Sequence, residues 1–356
     1  MLNKYNLMRK SPKSLFYKGF CKKLEKAPFN VGIVYKVDHP IYKYLSNLLH
    51  QRENINVYSI DSDKPKECPD NLHTVFVGPQ QSFVLPDVFE KNKTLKWVNC
   101  HWAGIDKFLP FKDHFLKNNA TLTNAKGAFS DSLGEYAMAA ILYFEKNIDK
   151  FNISKSKQEW KMYPVEMLNE KTIGIVGYGD IGINIAKKAK LGFDMKVIAL
   201  KSRLDNLKGK EFTDELVSND QLAYLLGKSD YVIDVLPSTP KTLNFFDDSK
   251  FGLFKKNSIF MNIGRGPTVN EDHLIRHLKS KEIIKAAALD VFKKEPLPAN
   301  SPFYELDNII ISNHSADFLN DGLENQRNSV HVFLRLLDNY RVTGKLENVI
   351  DLELGY

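Results

Sequence analysis

Apolar residues along the chain fall into short runs separated by stretches of helical period. The first series of runs, at Val31–Tyr35, Val57–Ile60, Thr74–Val77, Leu95–Cys100 and Thr121–Asn124, predicts five strands. Strands that alternate with helices predict a parallel sheet. A long helical pattern follows over Asp131–Asn147, with Ser130 or Asp131 as its N-cap. The polar stretch Lys150–Trp160 reads as a surface connection. A second series then predicts strands at Thr172–Val176, Lys196–Leu200, Tyr231–Leu236, Ser258–Ile263, Ile283–Leu289 and Asn308–Ile311. Six strands with intervening helices match a doubly wound α/β sheet. Near the C-terminus Val330, Phe333, Leu334 and Leu337 form the i, i+3, i+4, i+7 stripe of an amphipathic helix. No internal repeat is visible.

The 356-residue length suits two domains, large enough to fold without disulfide or metal staples. Three scattered cysteines, Cys21, Cys68 and Cys100, suggest neither a disulfide framework nor a zinc pattern, so a reducing compartment is expected. No apolar run reaches the roughly 20 residues of a membrane span. The net charge of +7 looks at first like a nucleic-acid signature. Its distribution argues otherwise. Residues 1–27 hold eight basic residues and one acid, Glu25, which accounts for the whole imbalance. The body is neutral and shows no basic face of the kind nucleic-acid binding needs. The tail reads as a solvated arm on a cytoplasmic protein. The alternative is a mitochondrial presequence, since Phe16, Phe20 and Leu24 share one helical face and Lys18, Lys22 and Lys26 another.

Gly177-Tyr-Gly179-Asp-Ile-Gly182 fits G-x-G-x-x-G between a predicted strand and a predicted helix, the context that dinucleotide binding requires. Gly177 allows the tight turn, Gly179 lets the backbone approach a pyrophosphate, and Gly182 lets helix and strand pack closely. The helix N-terminus favours the phosphate charge. The next strand ends in Lys201-Ser202-Arg203, with no acid to grip a ribose 2′-hydroxyl. Two cations and a hydroxyl suit a 2′-phosphate. NADP(H) is therefore expected, with NAD(H) as the alternative, and no metal.

Three further motifs end predicted strands, where open α/β sheets bind ligands. They are Asn262-Ile-Gly-Arg265-Gly266, Leu289-Asp290-Val-Phe-Lys-Lys-Glu295 and Ile311-Ser-Asn-His314. Hydride transfer to a 2-oxo acid charges the carbonyl oxygen, which then needs a proton. His314 suits that donor role, and a carboxylate such as Glu295 on its other ring nitrogen would fix the tautomer. Arg265 suits a bidentate grip on the substrate carboxylate. Of the nine histidines only His314 is assigned chemistry; His101 stands beside the Trp102 loop but reads as structural.

With these motifs in this order, the chain resembles the D-isomer-specific 2-hydroxyacid dehydrogenase family, most closely its NADPH-dependent glyoxylate and hydroxypyruvate reductases. The resemblance also rests on Trp102-Ala-Gly104-Ile-Asp106, Asn124 with Gly127, Gly134-Glu135-Tyr136 and Leu236-Pro237-Ser-Thr-Pro240-Lys-Thr242. It implies catalytic roles for Arg265, Glu295 and His314. It implies a substrate-carboxylate cradle at Trp102, Ala103 and Gly104. It places Asp180 and Ile181 on the pyrophosphate, Leu236 and Pro237 along the cofactor, and Ile263 and Asp290 near the nicotinamide. The architecture it implies is a flavodoxin-like substrate domain over 28–130 and 315–356, a Rossmann cofactor domain over 131–314, and a homodimer. The chain departs from the family at Asn313, where proline is usual, at Pro267, and at Ser315-Ala316-Asp317.

The function expected from these readings interconverts a small 2-oxo acid and its D-2-hydroxy acid, with no nucleic-acid or membrane partner. Two alternatives remain open at this stage. One is an NAD-dependent dehydrogenase of another substrate class, such as 3-phosphoglycerate or D-lactate. The other is a dinucleotide-sensing module of the corepressor type.

Overall fold

A computed structural model describes residues 28–202, 208–323 and 325–356. The basic segment 1–27, read as an arm or presequence, and Arg203 lie outside the described residues. The described residues fall into two compact units: those of 28–101, 110–124 and 330–349 form one, and those of 102–109, 125–329 and 350–356 the other. Compared with the expected division, 102–109, 125–130, 315–329 and 350–356 group with the second unit. Local bonds account for this. Ala125 N–H donates to the Trp102 carbonyl, Asn328 Nδ2 to that of Ala128, and Ser132 Oγ to that of Ala316.

The first unit runs β1 (Phe29–Ile33), α1 (Pro40–His50), β2 (Ile55–Ser59), β3 (Thr74–Val77), α2 (Leu85–Lys91), β4 (Trp97–Cys100), α3 (Lys112–Asn118) and β5 (Thr121–Thr123). The order is β2-β1-β3-β4-β5, all parallel. That is the flavodoxin-like order. The expected apolar stripe of the C-terminal helix Arg327–Thr343 is buried here. Phe333 packs on Phe76 and Trp97 at ring distances of 5.1 and 5.4 Å. Each such buried side chain contributes about 1.5–3 kcal/mol. His101 is buried, stacks on Phe76 and bonds to the Tyr35 hydroxyl at 2.9 Å, a core role.

The second unit opens with α4 (Ser130–Glu145), capped by Phe129 without a side-chain bond. Both residues expected as the cap are thus already helical. Next comes α5 (Ile148–Ser156), where a surface connection was expected. Its only buried residue is Ser154, so it carries no apolar stripe to announce it. Then follow β6 (Thr172–Val176), α6 (Asp180–Phe193), β7 (Lys196–Leu200), β8 (Glu215–Val217), α7 (Leu222–Lys228), β9 (Tyr231–Asp234), α8 (Asp248–Phe251), β10 (Ser258–Asn262), α9 (Glu271–Ser280), β11 (Ile284–Leu289) and β12 (Ile309–Ile311). The parallel sheet has the order β12-β11-β10-β9-β6-β7-β8. It holds seven strands where six were expected, because the three-residue edge strand β8 is too short to show a period. Phe246 and Phe251 pack against Phe260 of β10, the strand whose end carries Ile263 and Arg265.

Candidate active site

The turn after β6 is shaped by what a side chain would hit. Gly177 has φ +105°, and a β-carbon there would stand 2.8 Å from the Val235 carbonyl oxygen. A β-carbon on Gly182 would stand 2.7 Å from the Gly177 oxygen and 3.1 Å from Ile175 Cγ2, so glycine lets α6 sit close on β6. Gly179 differs: a β-carbon there meets nothing within 4 Å. Nothing inside the fold excludes a side chain at Gly179. The room above it, beside the first turn of α6, fits a pyrophosphate. Asp180 and Ile181 begin that turn. The Asp180 carboxylate is engaged by Ser130 Oγ at 2.8 Å and Lys208 Nζ at 3.2 Å, which leaves the main chain to face a phosphate.

At the tip of the neighbouring β7, Lys201 is half-buried and Ser202 exposed, and neither is an acid. After β9, Leu236 donates its N–H to Asp234 Oδ1 at 2.9 Å, and the Pro237 carbonyl accepts from Thr242 Oγ1 at 2.6 Å. Ile263, just past β10, is buried.

Arg265 follows on the same loop. Its Nη1 donates to the Gly264 carbonyl at 2.8 Å, and its Nε points to Asp106 Oδ2 at 3.4 Å. Its Nη2 lies against Gly104: a β-carbon built there would stand 2.0 Å away. Only glycine admits the guanidinium to that main chain. The Trp102–Gly104 loop and Arg265 are thus brought together. Trp102 keeps 38% of its surface exposed.

His314 Nδ1 lies 2.8 Å from Glu295 Oε2, and Glu295 Oε1 accepts the Phe292 N–H at 2.9 Å. The carboxylate holds a proton on Nδ1, so Nε2 becomes the position that gives up or takes the mobile proton. The loop carrying His314 is built on buried Asp290, whose Oδ1 accepts from Ser312 Oγ, Ser315 N–H and Ala316 N–H at 2.7, 2.9 and 3.1 Å. Asp290 therefore shapes the His314 loop, a role its expected place beside the nicotinamide did not include. Asn313 and His314 both take left-handed φ, 56° and 52°. Proline, fixed near −65°, cannot occupy position 313 in this backbone, whereas asparagine tolerates it. The departure from the family pattern thus has a local cause.

Asp317, noted in the sequence as a family departure, carries a half-buried carboxyl. Burial, then Asp290, push its pKa up, against the pull of His314 and Arg265. Sequence reasoning missed Asp234 and Thr268, which sit fully buried behind Arg265. No patterned signal marks that pair, because it depends on strand order. Among the described residues no cluster suited to a metal ion occurs, and no helix is long and apolar enough to cross a membrane.

Comparison with known proteins agrees with this fold. The family model for the D-isomer specific 2-hydroxyacid dehydrogenase, NAD binding domain, matches residues 138–316. A probable 2-ketogluconate reductase of Dictyostelium discoideum is 34% identical over 235 residues, 64% of this chain and 68% of the relative. Glyoxylate/hydroxypyruvate reductase B of Escherichia coli is 29% identical over 288 residues, 77% of this chain and 86% of the relative. The crystal structure of an NADPH-dependent glyoxylate/hydroxypyruvate reductase from Sinorhizobium meliloti, in complex with NADP and sulfate, aligns with a TM-score of 0.73. It is 23% identical and covers 93% of this chain and 100% of its own.

Proposed function

The chain belongs to the D-isomer specific 2-hydroxyacid dehydrogenases, oxidoreductases that use NAD(P), and from that premise we propose that it reduces a small 2-oxo acid of the glyoxylate or hydroxypyruvate type with NADPH. The observation that carries this reading is the His314–Glu295 bond. It lies past β11 and β12 on the same carboxyl edge as the glycine turn and the Arg265 loop.

A bound nicotinamide supplies hydride to the 2-oxo carbon. Arg265 grips the substrate carboxylate, with Trp102, Ala103 and Gly104 lining its other side. His314 gives its Nε2 proton to the carbonyl oxygen as charge develops there. Glu295 holds the ring through Nδ1 and stabilises the imidazolium.

The Lys201–Ser202 tip supports NADPH over NADH, as does the NADP bound by the Sinorhizobium relative. Gly177, Gly179, Asp180, Ile181, Gly182, Leu236, Pro237, Ile263 and Asp290 complete the proposed cofactor site. A homodimer is supported by the segment 148–167, where Ile148, Phe151, Ile153, Trp160, Met162, Val165 and Met167 are exposed. Trp160 is fully so. The buried thiols of Cys68 and Cys100 fit a reducing cytoplasm. A mature N-terminus found near residue 27 would favour the mitochondrion instead.

The test is cofactor consumption. Purified protein is mixed with NADPH or NADH and glyoxylate, hydroxypyruvate, pyruvate or phenylpyruvate. Faster NADPH oxidation with glyoxylate or hydroxypyruvate supports the reading. Equal or faster turnover with NADH removes the cofactor half. Silence with every acid, despite tight dinucleotide binding, removes the substrate half.

A further inference from the structure

We propose that Asp234 is a proton-carrying positioning residue: its neutral carboxyl donates to Thr268, which donates in turn to the Arg265 carbonyl and fixes the arginine loop. The argument is a count of hydrogens. Thr268 Oγ1 lies 2.5 Å from Asp234 Oδ2 and 2.6 Å from the Arg265 carbonyl oxygen. A hydroxyl has one hydrogen to give. If Asp234 were ionised, both neighbours would be pure acceptors, and one short oxygen–oxygen contact would hold no hydrogen. A proton on Asp234 fills both contacts. Asn262 Nδ2 adds a second donor to the same carbonyl at 3.0 Å and the Thr268 N–H a third at 3.2 Å. Asp234 and Thr268 are 0% exposed and Asn262 1%, so no bulk water takes up an unmet bond.

The other carboxyl oxygen of Asp234 takes the Leu236 N–H at 2.9 Å. One side chain therefore joins the turn after β9 to the loop after β10. Neither residue paired with it on the flanking strands, Val176 of β6 and Asn262 of β10, is charged. Burial pushes the Asp234 carboxyl up to about 7, against smaller pulls from the Thr268 hydroxyl and the Leu236 N–H. When the carboxyl ionises, the Thr268 hydroxyl hydrogen turns to it, and the Arg265 carbonyl loses its shortest donor and keeps Asn262 Nδ2 and the Thr268 N–H.

The positioning claim stands on the main chain alone; its consequence for substrate rests on the proposed role of Arg265. Hydrogen exchange of residues 262–268 tests the first part, comparing wild type with Asp234→Asn. Asparagine supplies the donor to Thr268 at every pH and keeps the acceptor for Leu236. After correction for intrinsic rates, the two proteins should exchange alike at about pH 6, and wild type about five-fold faster at about pH 8.5. Equal protection at both values overturns the proposal. If Asp234→Asn does not fold, Thr268→Val and Thr268→Ser decide it. The valine variant should lose protection and the serine variant should regain it; equal protection in the two overturns the claim.

The kinetic arm compares KM for glyoxylate in the holoenzyme with NADPH. The ratio of wild type to Asp234→Asn should rise about five-fold between the same two pH values, because every other pH effect is common to the two proteins and cancels. Separation in exchange with a flat KM ratio upholds Asp234 and removes Arg265 as the carboxylate holder.

Discussion

The glycine turn and the arginine loop lie on the same edge of one sheet, yet they are shaped by opposite means. In the turn after β6 the backbone is arranged by the absence of side chains. Gly177 and Gly182 are where a β-carbon would strike main chain, and Gly179 is where one would strike nothing. In the loop after β10 the backbone is arranged by side chains that are present. Asn262 and Thr268 converge on one carbonyl from inside the sheet, with Asp234 bonded behind Thr268. The first device is local and leaves room for a ligand. The second is long-range and leaves no room at all. Binding and chemistry are thereby built separately, and substitutions should separate them.

The largest expected effect is on chemistry. His314→Ala should lower kcat by about 10²- to 10⁴-fold, read from steady-state NADPH oxidation. A loss under ten-fold would mean that another group donates the proton. Next comes packing at the turn. Gly182→Val should cost about 1–3 kcal/mol in a denaturant melt, because its side chain meets the Gly177 oxygen and Ile175. An unchanged midpoint would show that α6 can shift aside.

The buried loop sharpens the comparison through pH. The Asp234 carboxyl is raised to about 7, so the folded state binds a proton that the unfolded state has lost over the window from about 4 to about 7. The stability tied to that proton is fully present below the unfolded value and is lost as pH rises through the folded one. Asp234→Asn does not titrate. Its melting temperature should therefore gain on wild type from pH 4 towards 7 and then hold a constant lead. A gap that does not change with pH contradicts a buried neutral carboxyl. The smallest effect belongs to the exposed tip. Lys201→Ala should cut the preference for NADPH over NADH by about two- to five-fold, measured as a ratio of kcat/KM. No change would move the 2′-phosphate contact to other residues.

Legibility in the sequence follows the same division. Gly177, Gly179 and Gly182 were readable because their spacing records a local turn. His314, Glu295 and Arg265 were readable as motifs at strand ends, and their bonds put numbers on that expectation. Helix α5 was not, since a helix without a buried face leaves no period. Strand β8 was too short to show one. The Asp234–Thr268 bond spans 34 residues and exists only because β9 and β10 are neighbours. Strand order carries that information, and no window of sequence does. The family departure at Asn313 was visible, but its cause, a left-handed backbone at 313 and 314, needed the structure.

The most direct test measures dinucleotide Kd and saturated kcat side by side in Gly179→Ala and His314→Ala. Gly179 has φ −95°, which alanine adopts freely, and its side chain would meet only the bound pyrophosphate. The account predicts that Gly179→Ala melts like wild type and weakens NADPH binding by about ten-fold, with kcat at saturation largely kept. His314→Ala should keep the wild-type Kd and lose kcat. If Gly179→Ala binds NADPH as well as wild type does, or if His314→Ala turns over normally, the assignment of binding to the turn and chemistry to the histidine is contradicted.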